Sequence, residues 1–139
     1  MKKLLYLFLV LPLIFSSCKK EEGCKDAQAS NYNADAETDD GSCTYSIVGT
    51  WTITEYVQDG VSLLALLPGA QLTFASSTYN IGAGGVTVSD GTYVLSGNTL
   101  TLSNPETETF NVTKLDGSSM HATGTSSVDW ASCSIKATK

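Results

Sequence analysis

Arginine is missing from these 139 residues, histidine occurs once, and charged side chains make up only 16% of the chain. The eight basic residues are all lysines, set against 14 acids for a formal net charge of -6. Without guanidinium forks or a basic face the chain is poorly equipped to neutralise phosphates or read base edges, so nucleic acid is not an expected partner. A single histidine, His121, cannot build the constellations that zinc, acid-base or nucleophilic chemistry draws on. The nearest approach to a carboxylate pair is Glu106 with Glu108, which in a threonine-rich hairpin reads as solubilising charge rather than as a glycosidase dyad. No catalytic residue is assigned, and the chain is expected not to be an enzyme.

One long apolar run is present, at the start. Lys2 and Lys3 precede Leu4 to Phe15, a stretch too short to span a bilayer comfortably but ordered like a secretory signal peptide. The sequence Phe15-Ser16-Ser17-Cys18 resembles the lipobox of bacterial lipoproteins, with Phe15 where leucine is commonest. By that resemblance residues 1–17 are a lipoprotein signal peptide and Cys18 is the lipidated residue, held at the membrane by acyl chains at about 0.8 kcal/mol per buried methylene. Residues 18–23 then form a charged tether. Its Lys19-Lys20-Glu21-Glu22 is similar to the surface-export signal of Bacteroidetes-type lipoproteins, with a plain solvated linker as the alternative. The expected location is therefore the outer membrane, facing the cell surface. Loss of residues 1–17 removes two lysines and no acid. The more acidic face that remains repels anionic headgroups, so membrane contact is expected through the lipid alone.

With Cys18 acylated, three cysteines remain in a disulfide-permissive compartment: Cys24, Cys43 and Cys133. Cys24 and Cys43 bracket a polar stretch with almost nothing to bury, and a disulfide between them would contribute about 3 kcal/mol in the chain-entropy model. Residues 24–45 are thus expected to be a short irregular module closed by that bond. Its Asn31-Tyr32-Asn33 centre and Asp39-Asp40-Gly41-Ser42-Cys43-Thr44-Tyr45 end resemble a short repeat of secreted Bacteroidetes-type proteins. Alternating oxygens at Asp35, Glu37 and Asp39 raise calcium as a ligand, because hard cations take carboxylates at alternate positions beside a glycine turn. The EF-hand pattern is not met, since Asp40 replaces the expected glycine and Ser46 the distal glutamate, which leaves open another calcium geometry closed by Asp26 or by the Asn31 and Asn33 amides. A rigid acidic spacer with no cofactor is the preferred reading.

Residues 46–139 read as antiparallel sheet, in short β-branched and aromatic runs punctuated by turn dipeptides. Strands are predicted at 49–58, 71–80, 85–89, 92–95, 99–103, 109–115, 119–123 and 128–137, with Asp90-Gly91, Gly97-Asn98 and Asp116-Gly117 as positive-φ turns. Alternation gives one apolar face: Trp51 and Ile53, Leu72 and Phe74, Tyr93 and Leu95, Leu100 and Leu102, Phe110 and Val112, Met120 and Ala122, Cys133 and Ile135. His121 falls on the other parity. Such a sheet must close on itself or pack on another, so the fold class is all-β: a meander closing into a barrel, with a β-sandwich as the alternative. Leu63 to Leu67, stopped by Pro68-Gly69, predict one or two helical turns that would complete the core as a plug.

Ile47-Val48-Gly49-Thr50-Trp51 and the strand-turn-strand from Gly91 to Leu102 resemble the small lipocalin-like domains of bacterial lipoproteins. The resemblance implies that Trp51 plugs the closed end of a barrel whose interior holds a small apolar ligand. The residues then expected to touch that ligand are Trp51, Leu64, Leu67, Phe74, Tyr93, Leu100 and Phe110. Two departures stand out. No arginine is available to stack over Trp51, leaving Lys136 as the only weak substitute, and the segment is short for eight long strands, which favours a narrow barrel. The leading expectation is a monomeric, membrane-anchored, non-catalytic lipoprotein binding an apolar ligand or an envelope partner. The alternative is a structural or adhesive accessory whose acidic module meets calcium.

Overall fold

The computed structural model describes residues 20–125 and 132–139. The expected signal peptide, Cys18, Lys19 and the start of the last predicted strand lie outside them.

Nine antiparallel strands follow one another around a single sheet: β1 (Gly49–Gln58), β2 (Val61–Ser62), β3 (Gln71–Phe74), β4 (Thr78–Ala83), β5 (Val86–Ser96), β6 (Thr99–Asn104), β7 (Glu106–Leu115), β8 (Ser119–Thr125) and β9 (Ser132–Thr138). Each pairs with its neighbour in the chain, except that the short β2 folds back on β1 and leaves β3 to pair with β1's first half. β1 also pairs with β9 from Thr52↔Thr138 to Gln58↔Cys133, so eight strands close into a barrel and the sandwich alternative is excluded. Closure removes the sheet edges that would otherwise template aggregation.

The apolar alternation lands inside. Trp51, Leu72, Phe74, Leu100, Leu102, Phe110, Val112, Met120, Ala122 and Cys133 are all buried in one core, with Tyr93, Leu95 and Ile135 packed against it. Several boundaries differ from the sequence reading, and the main differences have local reasons. The predicted strand 71–80 is two strands, because Ala75-Ser76-Ser77 turn the chain and Ala75 N–H donates to Thr78 O at 2.8 Å. The predicted strands 85–89 and 92–95 are one, β5, running straight through Asp90-Gly91. The hairpin before β5 is made instead by Gly84 and Gly85, at φ 59° and 84°. Gly91 is needed for a different purpose: a Cβ there would collide with Ser103 O and press on Tyr79, so the missing side chain lets neighbouring strands curve inward. The turn between β7 and β8 also departs from expectation. Gly117 has no positive φ, and the Asp116 carboxylate shapes the turn by accepting from Ser118 N–H at 2.9 Å and Ser119 N–H at 2.7 Å. Those bonds, with Lys114 alongside, lower its carboxyl pKa to about 2.

The connection from β1 to β3 begins with a hairpin at Asp59-Gly60, with φ 48° and 79°, the left-handed pair that a two-residue hairpin requires. A single 3₁₀ turn at Leu64–Leu66 follows, inside the predicted leucine-rich helical segment. Leu64 and Leu67 lie against the core while Leu66 is exposed.

By contact the chain divides into two units, one comprising Thr44–Lys139 with Gln28–Ser30, the other residues up to 27 with Asn31–Cys43. The smaller unit has the expected Cys24–Cys43 disulfide, and Cys24 is buried. Its irregular backbone is tied by Glu37 N–H to Glu21 O at 2.7 Å, Asn33 N–H to Cys24 O at 2.9 Å and Asn31 Nδ2 to Ser42 O at 2.7 Å. Asn31 and Asn33 of the Asn-Tyr-Asn centre thus help to hold the loop.

Trp51 is fully buried and seals one end of the barrel. Replacing it by alanine is expected to lower the unfolding free energy by about 3–5 kcal/mol in chemical denaturation. A loss under about 1 kcal/mol would show that the plug is not structural.

Candidate functional site

The barrel is filled at one end and hollow at the other. At the filled end Trp51 Nε1 donates to Ile47 O at 2.7 Å, and the Lys139 ammonium stands 4.3 Å from the centre of the indole ring. Lys139 Nζ also donates to Val48 O at 2.9 Å. Gly49, at φ 127°, leaves room for this side chain, since a Cβ would lie 3.1 Å from Lys139 Cε. The cation over the tryptophan is thus Lys139 and not Lys136, which points off the barrel to meet Glu55 at 2.9 Å. Phe74 and Tyr93 meet edge to face with centroids 4.8 Å apart, and Tyr93 Oη donates to Ala75 O at 2.8 Å. Burial pushes the Tyr93 hydroxyl's pKa up.

Past this packing, β1 bulges between Ile53 and Glu55, which turns Tyr56 and Gln58 toward the interior. A cavity of about 260 Å³ lies there, walled by Ile53, Tyr56, Gln58, Tyr79, Ile81, Phe110, Cys133 and Ile135, with Leu67 from the β1–β3 connection. An adjoining volume of about 290 Å³ is bounded by Asn104, Pro105 and Glu106 at the β6–β7 turn. The two volumes share Tyr79, Ser89, Leu102 and Glu108. Binding pockets for drug-sized ligands run to about 300–1,000 Å³, so the inner cavity suits a small apolar group.

Of the residues expected to touch ligand, Leu67 and Phe110 line this cavity. Trp51, Phe74 and Leu100 are buried in the packed core, while Tyr93 and Leu64 lie against it. Sequence reasoning missed Tyr56, Gln58, Tyr79, Ile81, Ser89 and Glu108. Glu108 is no solubilising surface charge: it is half-buried and lines the cavity, because it shares its parity with the inward Phe110 and Val112. That parity was legible in the sequence. Tyr79 was hidden because the turn at 75–77 resets the alternation.

Cys133 is a buried thiol outside the disulfide, on the cavity wall. His121 lies off the cavity, opposite Lys136 in the β8–β9 ladder. Among the described residues no three histidine, cysteine or acidic side chains gather as metal ligands. Asp35, Glu37 and Asp39 are exposed and do not converge, and the Asp39 carboxylate accepts from Gly41 N–H at 2.9 Å.

A model of the lipocalin-like domain matches residues 47–122, across most of the closed meander. The chain belongs to the lipocalin-like family. A comparison with curated proteins finds no match. Lipocalin-like domains are typically binding proteins rather than enzymes, and this barrel is consistent with ligand binding.

Ser89 lies where the two volumes meet. Ser89→Phe should reduce uptake of a small environment-sensitive fluorescent probe by about tenfold while leaving the thermal midpoint nearly unchanged. Undiminished uptake would place probe binding elsewhere.

Proposed function

We propose that this lipocalin-like protein is a non-catalytic carrier or receptor for a small apolar ligand, displayed on the outer membrane by a lipid on Cys18. The observation that carries the proposal is the apolar cavity in the open half of the barrel, walled by side chains from six strands and the β1–β3 connection. It lies apart from the tryptophan plug, so a ligand could enter without dismantling the packed end. Its lining has the mixture expected of a binding site, mostly apolar with a few polar groups at Gln58, Ser89 and Glu108.

The anchoring part of the proposal rests on the order Lys2-Lys3, apolar run, Ser16-Ser17-Cys18. Surface display rests on the Lys19-Lys20-Glu21-Glu22 tether. In this reading the disulfide-closed module between tether and barrel is a rigid, solvated spacer, since most of its polar groups are exposed. The barrel works as a monomer, its sheet edges being consumed by closure.

Native mass spectrometry of the protein isolated from its own host tests both parts. The expected species begins at an acylated Cys18 and carries a small apolar adduct that is lost on denaturation. An unacylated chain would overturn the anchor. A chain with no adduct, which also fails to take up apolar probes, would overturn the carrier reading.

A further inference from the structure

The lining of the cavity also limits the charge its ligand can have. No lysine or histidine is among the described residues that wall either volume. The lysines described in the barrel are engaged away from it: Lys139 over Trp51, Lys136 with Glu55 at 2.9 Å, and Lys114 with Asp116 at 3.0 Å. Glu108, by contrast, is half-buried on the wall that both volumes share, and among the described residues its carboxylate has no hydrogen-bond or ion-pair partner. Tyr79 lines the same two volumes, and its hydroxyl lies 3.4 Å from Ser89 Oγ. Tyr56 adds a second ring to the inner one.

A ligand entering this space strips water from Glu108. A neutral ligand leaves the carboxylate desolvated and uncompensated, and an anionic head adds repulsion in a region of reduced dielectric. A cationic head supplies the missing counter-charge and can lie against tyrosine faces, whose quadrupoles attract cations. The apolar walls beyond, at Ile53, Phe110 and Ile135, then receive the tail.

We propose that the ligand is an organic cation with an apolar tail, a protonated amine or a quaternary ammonium, seated with its charge at Glu108 and Tyr79. This rests on the carrier reading above and specifies its ligand class. It also sets the protein against fatty acids, whose carboxylate would meet Glu108 with no base nearby.

Octylamine, octanol and octanoate share a tail and differ in head-group charge, so calorimetric titration of the purified protein at neutral pH with each separates the two readings. Octylamine is expected to bind about tenfold more tightly than octanol, with octanoate weakest. In Glu108→Gln the amine should lose that advantage while octanol, no longer stranding a carboxylate, binds at least as tightly as to the wild type, which also reports that the variant is folded. If wild-type protein binds octanol as well as or better than octylamine, the cation assignment falls and the carrier reading stands. An amine preference that survives Glu108→Gln overturns the role of Glu108. If none of the three binds, the carrier reading fails and the assignment with it.

Discussion

A sheet that is apolar on one face has to close, and here the closing pair is β1 against β9. β1 is the strand on which closure turns, because its first half pairs with β3 and its ladder to β9 starts at Thr52 and runs to Gln58. The ladder to β9 carries a bulge between Ile53 and Glu55. Before the bulge, Trp51 and Ile53 face the core; after it, Tyr56 and Gln58 line the cavity. One irregularity in one strand thus divides the barrel into a packed end and a hollow end.

The packed end is held by complementary details that depend on the same few residues. Gly49 gives Lys139 access to the indole, Lys139 ties back to Val48 O, and Ile47 O satisfies the indole N–H. No buried side-chain nitrogen or oxygen among the described residues is left without a partner. The outcome is a rigid base that leaves the opposite end free to be shaped by polar groups. A lysine can occupy the place over the tryptophan because it acts there as a cation with a flexible stem, bonding backbone carbonyls as well as the ring.

Period-two alternation made the packed end legible from sequence, since Trp51, Leu72, Leu100, Val112 and Met120 sit on uninterrupted runs. At the hollow end it found Phe110, Cys133 and Ile135 but missed other wall residues for a physical reason. Tyr56 lies past a bulge, Tyr79 past a turn, and Ser89 within a strand that Asp90-Gly91 was expected to break. A bulge or a turn resets the parity of the residues beyond it, and a one-residue shift exchanges inside for outside. Gly91 misled because glycine serves two purposes in sheets, permitting positive φ in turns and permitting close approach in curved strands, and only the structure separates them. Glu108 is different. Its parity with Phe110 is unbroken, and only the general link between charge and exposure argues against an inward side chain. The disulfide was readable because a polar loop with nothing to bury needs a covalent clasp.

The barrel works as a carrier only if ligand enters the hollow half and leaves the packed half undisturbed. Titrating isotope-labelled protein with a small apolar ligand and following its amide resonances decides this. Binding in the hollow half predicts shifts concentrated at Tyr56, Tyr79, Ser89, Leu102, Glu108 and Cys133, with Trp51, Leu72 and Met120 nearly still. Shifts centred on Trp51 and its neighbours, or spread evenly over the exposed strand faces, would contradict it.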